Sequence, residues 1–205
     1  PPPEVRPWNH NHGVYGWLGE ELYAESLRMA GFGEEAGRIS MAEMQRNGGP
    51  VLSLIHATRG RPKQAATARK AWLELAAHPE RIEHIFVVDD DDETRNKLRR
   101  FRHMEIPAGG GCVAAWNSGV CLSNAQVLVQ MSDDWLPPQK WDELILERIG
   151  DVLRPVVLSV NDGTRTDKLI CMAICTQNYI RLDCFMFHPF FKSMYSDNWF
   201  THCAY

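Results

Sequence analysis

The sequence predicts an α/β domain whose mostly parallel sheet is covered by helices on both faces. Short apolar runs rich in β-branched residues follow one another from Val51 onward, and helix-like segments fall between them. Runs this short and this continuously apolar suit strands buried on both sides. Strands alternating with helices define the α/β class.

The elements run as follows. Residues 1–49 read differently from the rest. Over 17–29, Leu18, Leu22, Tyr23 and Leu27 recur at helical spacing, and Gly31 and Gly33 end the segment. A second helical piece covers 40–46, and Asn47-Gly48-Gly49-Pro50 is a break. Residues 1–49 are therefore expected to form a helical arm, packed on the main domain or on a partner such as a second copy of the chain. Residues 50–205 form the main domain. Within it, strands are expected at 51–55, 85–88, 127–131, 156–160 and 169–175. Residues 62–78 should be a helix, with Pro62 in its first turn and Ala65, Ala66, Ala68, Ala71, Leu73 and Leu75 as formers or packers. Residues 94–101 and 139–149 also read as helices.

The 205 residues fit one domain, or one domain with an appendage. A 44% hydrophobic content and seven Trp supply a sizeable core, which excludes global disorder. No apolar run approaches the roughly 18 residues that span a bilayer. No basic, apolar leader opens the sequence, which starts Pro1-Pro2-Pro3 without a Met, as a trimmed chain or fragment would. The six cysteines form no C-x-x-C pair and sit mostly in apolar stretches, so they read as reduced, buried thiols of a cytoplasmic protein. A net charge of −4 argues against wholesale binding of a nucleic-acid backbone and leaves a local basic patch open.

In open α/β sheets ligands sit at the carboxyl ends of strands, so the residues just after each run are the informative ones. The first run is followed by His56-Ala57-Thr58-Arg59-Gly60-Arg61-Pro62. A hydroxyl, two guanidiniums and a glycine before a helix N-terminus suit an anionic ligand. The second run ends in Asp89-Asp90-Asp91-Asp92 and the third in Ser132-Asp133-Asp134-Trp135. On spacing alone Asp91 and Asp92 are turn or N-cap residues. Two acidic clusters at two strand ends of one sheet nevertheless meet across one crevice, and clustered carboxylates repel unless a cation neutralises them. Hard oxygen ligands select Mg2+ or Mn2+, ions that commonly keep substrate phosphates in their shell. A metal-bound diphosphate is the natural inference.

These residues resemble, in order, the motifs of the family 2 glycosyltransferases, which have the GT-A fold. Residues 53–62 look like the family's first strand and nucleotide loop. Phe86-Val87-Val88-Asp89-Asp90 looks like its second strand, whose terminal Asp contacts the nucleoside. Ala115-Trp116-Asn117-Ser118-Gly119 resembles its A-R-N-x-G segment without the Arg. Gln130-Met131-Ser132-Asp133-Asp134 resembles its D-x-D metal motif. Tyr195-Ser196-Asp197-Asn198-Trp199-Phe200, approached by the aromatic Phe187-His188-Pro189-Phe190-Phe191, resembles its late acidic motif. The resemblance covers residues 51–205.

The resemblance implies a metal-dependent glycosyltransferase with Mn2+ or Mg2+ as cofactor. It would move a sugar, with inversion, from a nucleotide-diphosphate sugar to an acceptor hydroxyl; UDP is the nucleotide by family habit. Asp197 becomes the base, against the reading of a plain N-cap for a final helix over 198–204. Asp134 becomes the leading metal ligand and Asp133 the second, because the first Asp of D-x-D falls at Met131. Nucleotide or donor contacts fall to Thr58, Arg59, Arg61, Asp89, Asp90, Asn117 and Asp133. Asn117 could equally cap a turn before Gly119, and Trp135, Trp199 and Phe200 could stack on sugar faces or belong to the core. The family's metal-binding His after the base helix has no counterpart before Tyr205, so either that ligand is missing or His188 or His202 replaces it. An impaired or truncated form, acting as a binding or assembly protein, is the alternative that follows.

Two further readings compete. Gly109-Gly110-Gly111-Cys112-Val113-Ala114 matches G-x-G-x-x-A, with Asp133 some way on, as in a dinucleotide-binding oxidoreductase. Its context is poor: residues 103–107 make a weak first strand, and Asn117-Ser118-Gly119 interrupts the helix. The glycine run fits better as a mobile loop beside the donor site. A nucleotidyltransferase would also use metal carboxylates at strand ends. The absence of a Walker A loop excludes a P-loop NTPase.

Overall fold

The structure, a computed structural model, describes residues 49–160 and 166–205. The arm expected over 1–49 lies outside the described residues, apart from Gly49.

The chain runs β1 (Leu52–Ala57), α1 (Pro62–Glu74), β2 (Ile82–Asp89), β3 (His103–Ile106), α2 (Gly111–Leu122), β4 (Val127–Met131), α3 (Trp141–Ile149), β5 (Val157–Leu158), β6 (Ile174–Thr176), α4 (Gln177–Asp183) and α5 (Ser196–Ala204). The six strands lie in the order β3-β2-β1-β4-β6-β5. The first four in this order are parallel, while β6 runs antiparallel to both β4 and β5. The predicted α/β class and mostly parallel sheet are what the chain forms.

Parallel crossovers are right-handed. The chain steps one way from β1 to β2 and the other way from β3 to β4, so α1 and α2 fall on opposite faces. On the α2 face, Ile55, Ile85, Val87 and Leu128 pack with Val113, Ala115, Val120, Phe187 and Phe200. On the other, Leu52, Leu54, Val127, Val129 and Met131 pack with Ala68 and Trp72 of α1 and with Trp141, Ile145 and Ile149 of α3. Two indoles lock α1 to α3: Trp141 Nε1 donates to Trp72 O at 2.7 Å, and the rings meet edge-on with centroids 4.9 Å apart. Asp142, in the first turn of α3, accepts from the Ala77 and His78 amides, which turns the chain out of α1.

Several expected boundaries move. The helix predicted over 94–101 is only a single 3-10 turn at Arg95–Lys97. Arg95 and Arg99 both reach Glu105 on β3, and Arg95 also donates to Asp92 O, so side-chain bonds hold the segment as a tight link between strands. The strand expected over 169–175 shrinks to Ile174–Thr176, and α4 follows at once with Thr176 as its N-cap. Residues 103–106, judged too weak, are an edge strand paired with β2. The glycine run does not form a loop throughout: Gly111 begins α2, and Asn117-Ser118-Gly119 does not interrupt it. A Cβ at Gly119 would lie 2.4 Å from Ile55 Cγ2 and 2.9 Å from Val87 Cγ2. The missing side chain is what lets α2 sit directly on β1 and β2.

Candidate active site

The order of strands reverses between β1 and β4, and the crevice at their carboxyl ends is the switch point where ligands bind in such sheets. The loops after β1, β2 and β4 meet there.

The β1 loop is fastened on both flanks. Toward β2, Thr58 N donates to Val87 O at 3.1 Å, and Gly60 N donates to Asp92 Oδ2 at 2.8 Å. Gly60 has φ +70, a turn conformation that a side chain would strain. Arg59 Nη1 donates to Asp89 and Asp91, and its Nη2 to the second Asp91 oxygen at 3.0 Å. Hydrogen bonds to Asp91 and then Asp89 hold the Arg59 guanidinium above its ordinary pKa. Arg59 in turn holds the Asp91 carboxyl below the usual carboxylate range. Burial pushes Asp92 up, but bonds from the Gly60 amide and from Thr94 more than offset it, so its carboxyl ends below the usual range.

Toward β4, one carboxylate gathers the contacts. Asp133 Oδ2 accepts from Thr58 Oγ1 at 3.3 Å and lies 3.0 Å from Arg61 Nε. Its Oδ1 lies 2.5 Å from His56 Nε2, and both side chains are fully buried. On the far side of the same ring, His56 Nδ1 lies 3.0 Å from His84 Nε2. An ionised carboxylate only accepts, so His56 Nε2 carries the hydrogen and, in a neutral ring, Nδ1 accepts from His84. That leaves His84 Nδ1 unprotonated, and it is buried without a partner. Burial, followed by the neighbouring His56 and Arg69, keeps the pKa of His84 well below its ordinary value.

The structure thus joins Thr58, Arg61 and Asp133 in one cluster, and Arg59 with Asp89 in a second. The remaining expected residues stand apart. Asp90 Oδ1 accepts from Ala108 N at 3.1 Å. Asn117 uses both ends of its amide on backbone: Nδ2 donates to Phe187 O at 2.7 Å, and Oδ1 accepts from Met186 N and Phe187 N at 3.0 and 2.9 Å. Asp134 is exposed and accepts from Ser132 Oγ. Asp197 lies in the first turn of α5, half-buried, where its Oδ1 accepts from Asn198 N. Val113 N, near the start of α2, donates to Lys192 O, which brings the approach to α5 to the same edge of the sheet. His202 is exposed at the far end of α5, its ring 6.3 Å from that of Trp199. Among the described residues no group of three or more His, Cys, Asp or Glu stands together as a metal site.

Sequence reasoning missed the two histidines as site-forming residues. Their signal was a polar ring directly flanking each of two apolar runs, His56 after 51–55 and His84 before 85–88, and the pairing of Leu54 with His84 puts both on one face. It also missed a cavity of about 210 Å3 beside Ser132, lined by Trp116, Gln130, Ser132, Trp135, Cys171 and Met172.

No family model matches the chain, and no curated protein matches it. Solved structures do. S. aureus TarS (residues 1–349) in complex with UDP superposes with a TM-score of 0.57 at 14% identity, over 76% of this chain and 55% of that one. The same protein with UDP-GlcNAc gives 0.57 at 14% identity, over 76% and 53%. The mannosyltransferase PcManGT from Pyrobaculum calidifontis, in complex with GDP-Man and Mn2+, gives 0.54 at 11% identity, over 85% and 56%. The chain spans about half the length of these structures. Among the described residues no helix is long and apolar enough to cross a membrane. A parallel sheet with its switch point between β1 and β4, an antiparallel strand beyond β4 and these superpositions agree: the chain has the GT-A fold of nucleotide-sugar transferases.

Proposed function

We propose that the chain is a metal-dependent glycosyltransferase, moving a sugar from a nucleotide-diphosphate sugar, a UDP-sugar, to an acceptor hydroxyl with inversion. The observation that carries the reading is the bracing of the switch-point crevice by Asp133, bound at once to the β1 loop through Thr58 and Arg61 and to the strand interior through His56. Structural neighbours solved with UDP, and with GDP-Man and Mn2+, support it.

In this reading Thr58, Arg61 and Asp89 bind the nucleoside and phosphates. Arg59 is held ready between Asp89 and Asp91, while Asp90 shapes the β2 turn through Ala108 N. Asn117 contributes by fixing the segment at Phe187 rather than by touching the donor. Asp197 takes the proton of the acceptor hydroxyl as its oxygen forms a bond to the anomeric carbon. The bond from that carbon to the diphosphate oxygen breaks, and the nucleoside diphosphate leaves with the electron pair.

The donor set fits a hard dication in one restricted mode. Both Asp133 oxygens are engaged, whereas Asp134 is exposed and bound to Ser132. Asp134 would therefore be the principal protein ligand, with Asp133 bracing behind it and His202 outside the set. Mg2+ and Mn2+ accept such poor protein ligation, since water and substrate phosphates complete their shells. When bound, the ion would offset the charge on the leaving diphosphate.

Thermal protection of the chain by UDP, measured with and without Mn2+, tests the reading. Mn2+-dependent protection that is lost in Asp134→Ala is the expected result. Absence of any response to UDP or a UDP-sugar would overturn it. The engagement of both Asp133 oxygens by His56, Thr58 and Arg61 favours one second reading, a GT-A binding or assembly protein without turnover. UDP binding with no transfer or hydrolysis would select it.

A further inference from the structure

His84 is a polar ring that the chemistry above does not use. It lies near the amino end of β2, on the face that α1 covers, and is only 6% exposed, so it sits beneath the crevice rather than in it. Its ring meets Phe86 and His56 edge-on, with centroids 4.3 and 5.2 Å away, and Phe86 lies 4.9 Å from His56. Packing alone asks for no nitrogen there, because an apolar side chain of similar size would fill the same layer.

The nitrogens are nevertheless spent in one direction. His56 has a polar contact at each end of its ring, Asp133 Oδ1 at Nε2 and His84 Nε2 at Nδ1. A neutral imidazole offers one donor and one acceptor. With the His56 donor committed to a carboxylate, its other nitrogen is satisfied only if His84 donates. Turning the His56 ring over would exchange both nitrogens for carbons and break both bonds. His84 therefore fixes the plane of His56, and His56 fixes Asp133 Oδ1. That leaves Asp133 Oδ2 facing Thr58 Oγ1 at 3.3 Å and Arg61 Nε at 3.0 Å. Orientation passes from the sheet interior to the β1 loop along one chain of hydrogen bonds, whose members strengthen one another where water is excluded.

We infer that His84 is a positioning residue for nucleotide binding: acting through His56 and Asp133, it holds Thr58 and Arg61 in the arrangement that receives the nucleotide, without touching the ligand. The inference rests on the transferase reading above for the identity of that ligand.

Two measurements test it. Heteronuclear NMR of the imidazole nitrogens reads the tautomers at neutral pH with no nucleotide present. His56 and His84 should each carry hydrogen on Nε2 and none on Nδ1; hydrogen on Nδ1 of either ring overturns the inference. The second measurement is UDP affinity in Mg2+ for the parent chain, His84→Gln and His84→Met. Gln keeps an N–H to donate to His56, whereas Met fills similar space and donates nothing. His84→Met should weaken UDP binding about fivefold, as expected for one neutral hydrogen bond, and His84→Gln should stay within about twofold of the parent. A residue that only packs would give no such rescue. Parent-like affinity in both variants, or equal weakening in both, overturns the inference and leaves the transferase reading standing. No binding of UDP by the parent chain overturns both. If His84→Met does not fold, the parent chain decides: the His84 Nε2 resonance should move when UDP and Mg2+ are added, and an unmoved resonance overturns the inference.

Discussion

Asn117 separates a structural role from a donor-binding one, and the structure gives the size of the effect. Replacing it with Ala removes three hydrogen bonds to the backbone of Met186 and Phe187. Each is worth about 1 kcal/mol net. Both partner residues are only 2% exposed, so water does not readily replace the lost bonds. Asn117→Ala should therefore cost about 3 kcal/mol. With a urea dependence of about 2 kcal/mol per M, the unfolding midpoint falls by about 1.5 M. Asn117→Asp keeps the oxygen that serves both amides but sets a second acceptor against Phe187 O, where the two oxygens repel, so it too should unfold at lower urea than the parent. Urea titration followed by circular dichroism reads the order, with UDP affinity as the second measurement. If Asn117→Ala unfolds within about 0.5 kcal/mol of the parent while nucleotide affinity drops, the residue touches substrate and the reasoning fails.

Other outcomes follow from the same geometry. Gly119→Ala would ordinarily strengthen a helix by about 1 kcal/mol, but its new carbon meets Ile55 and Val87, and overpacking costs about 1–3 kcal/mol. A net loss, seen as a lower melting temperature, is expected; a gain refutes the close packing of α2. His84 is held neutral, so below about pH 6.5 the unfolded chain takes up a proton that the fold does not. Stability should fall as pH drops, by up to about 1.4 kcal/mol per unit, until the depressed pKa of the folded state is reached. His84→Gln should flatten that slope, and an unchanged slope between pH 7 and pH 5.5 counts against a neutral buried ring. Asp197→Asn should bind UDP like the parent while turnover falls by about a hundredfold or more; full activity removes it as the base.

Much of the fold could be read from periodicity. The runs at Val127–Met131 and around Ile85 became strands because nothing local competes with their burial. Thr94 to Phe101 failed as a helix because its bonding partner, Glu105, lies beyond the segment, and pattern reading sees only the segment itself. Gly119 was misjudged for a related reason. In isolation a glycine weakens a helix, and only the strands beneath it show that a larger residue has no room. The two acidic clusters do stand at one edge of the sheet, at the carboxyl ends of β2 and β4. The division of labour among them was not legible: Asp133 is committed inward by His56, and Asp134 outward by nothing larger than Ser132. Adjacent identical letters give no hint of which carboxylate faces a buried imidazole.

The pinning of the segment from Thr58 to Arg61 bears on how a ligand is admitted. With Gly60 tied to Asp92 and Arg61 to Asp133, this stretch has little freedom left to surrender, and docking avoids much of the usual ordering cost of about 0.5–1.5 kcal/mol per side chain. Arg59 is the exception, because it is already neutralised. A polyanion that draws it away strands Asp89 and Asp91 with uncompensated negative charge. Admission of phosphate at that corner is thermodynamically coupled to the arrival of new positive charge, and by reciprocity each should strengthen the hold on the other.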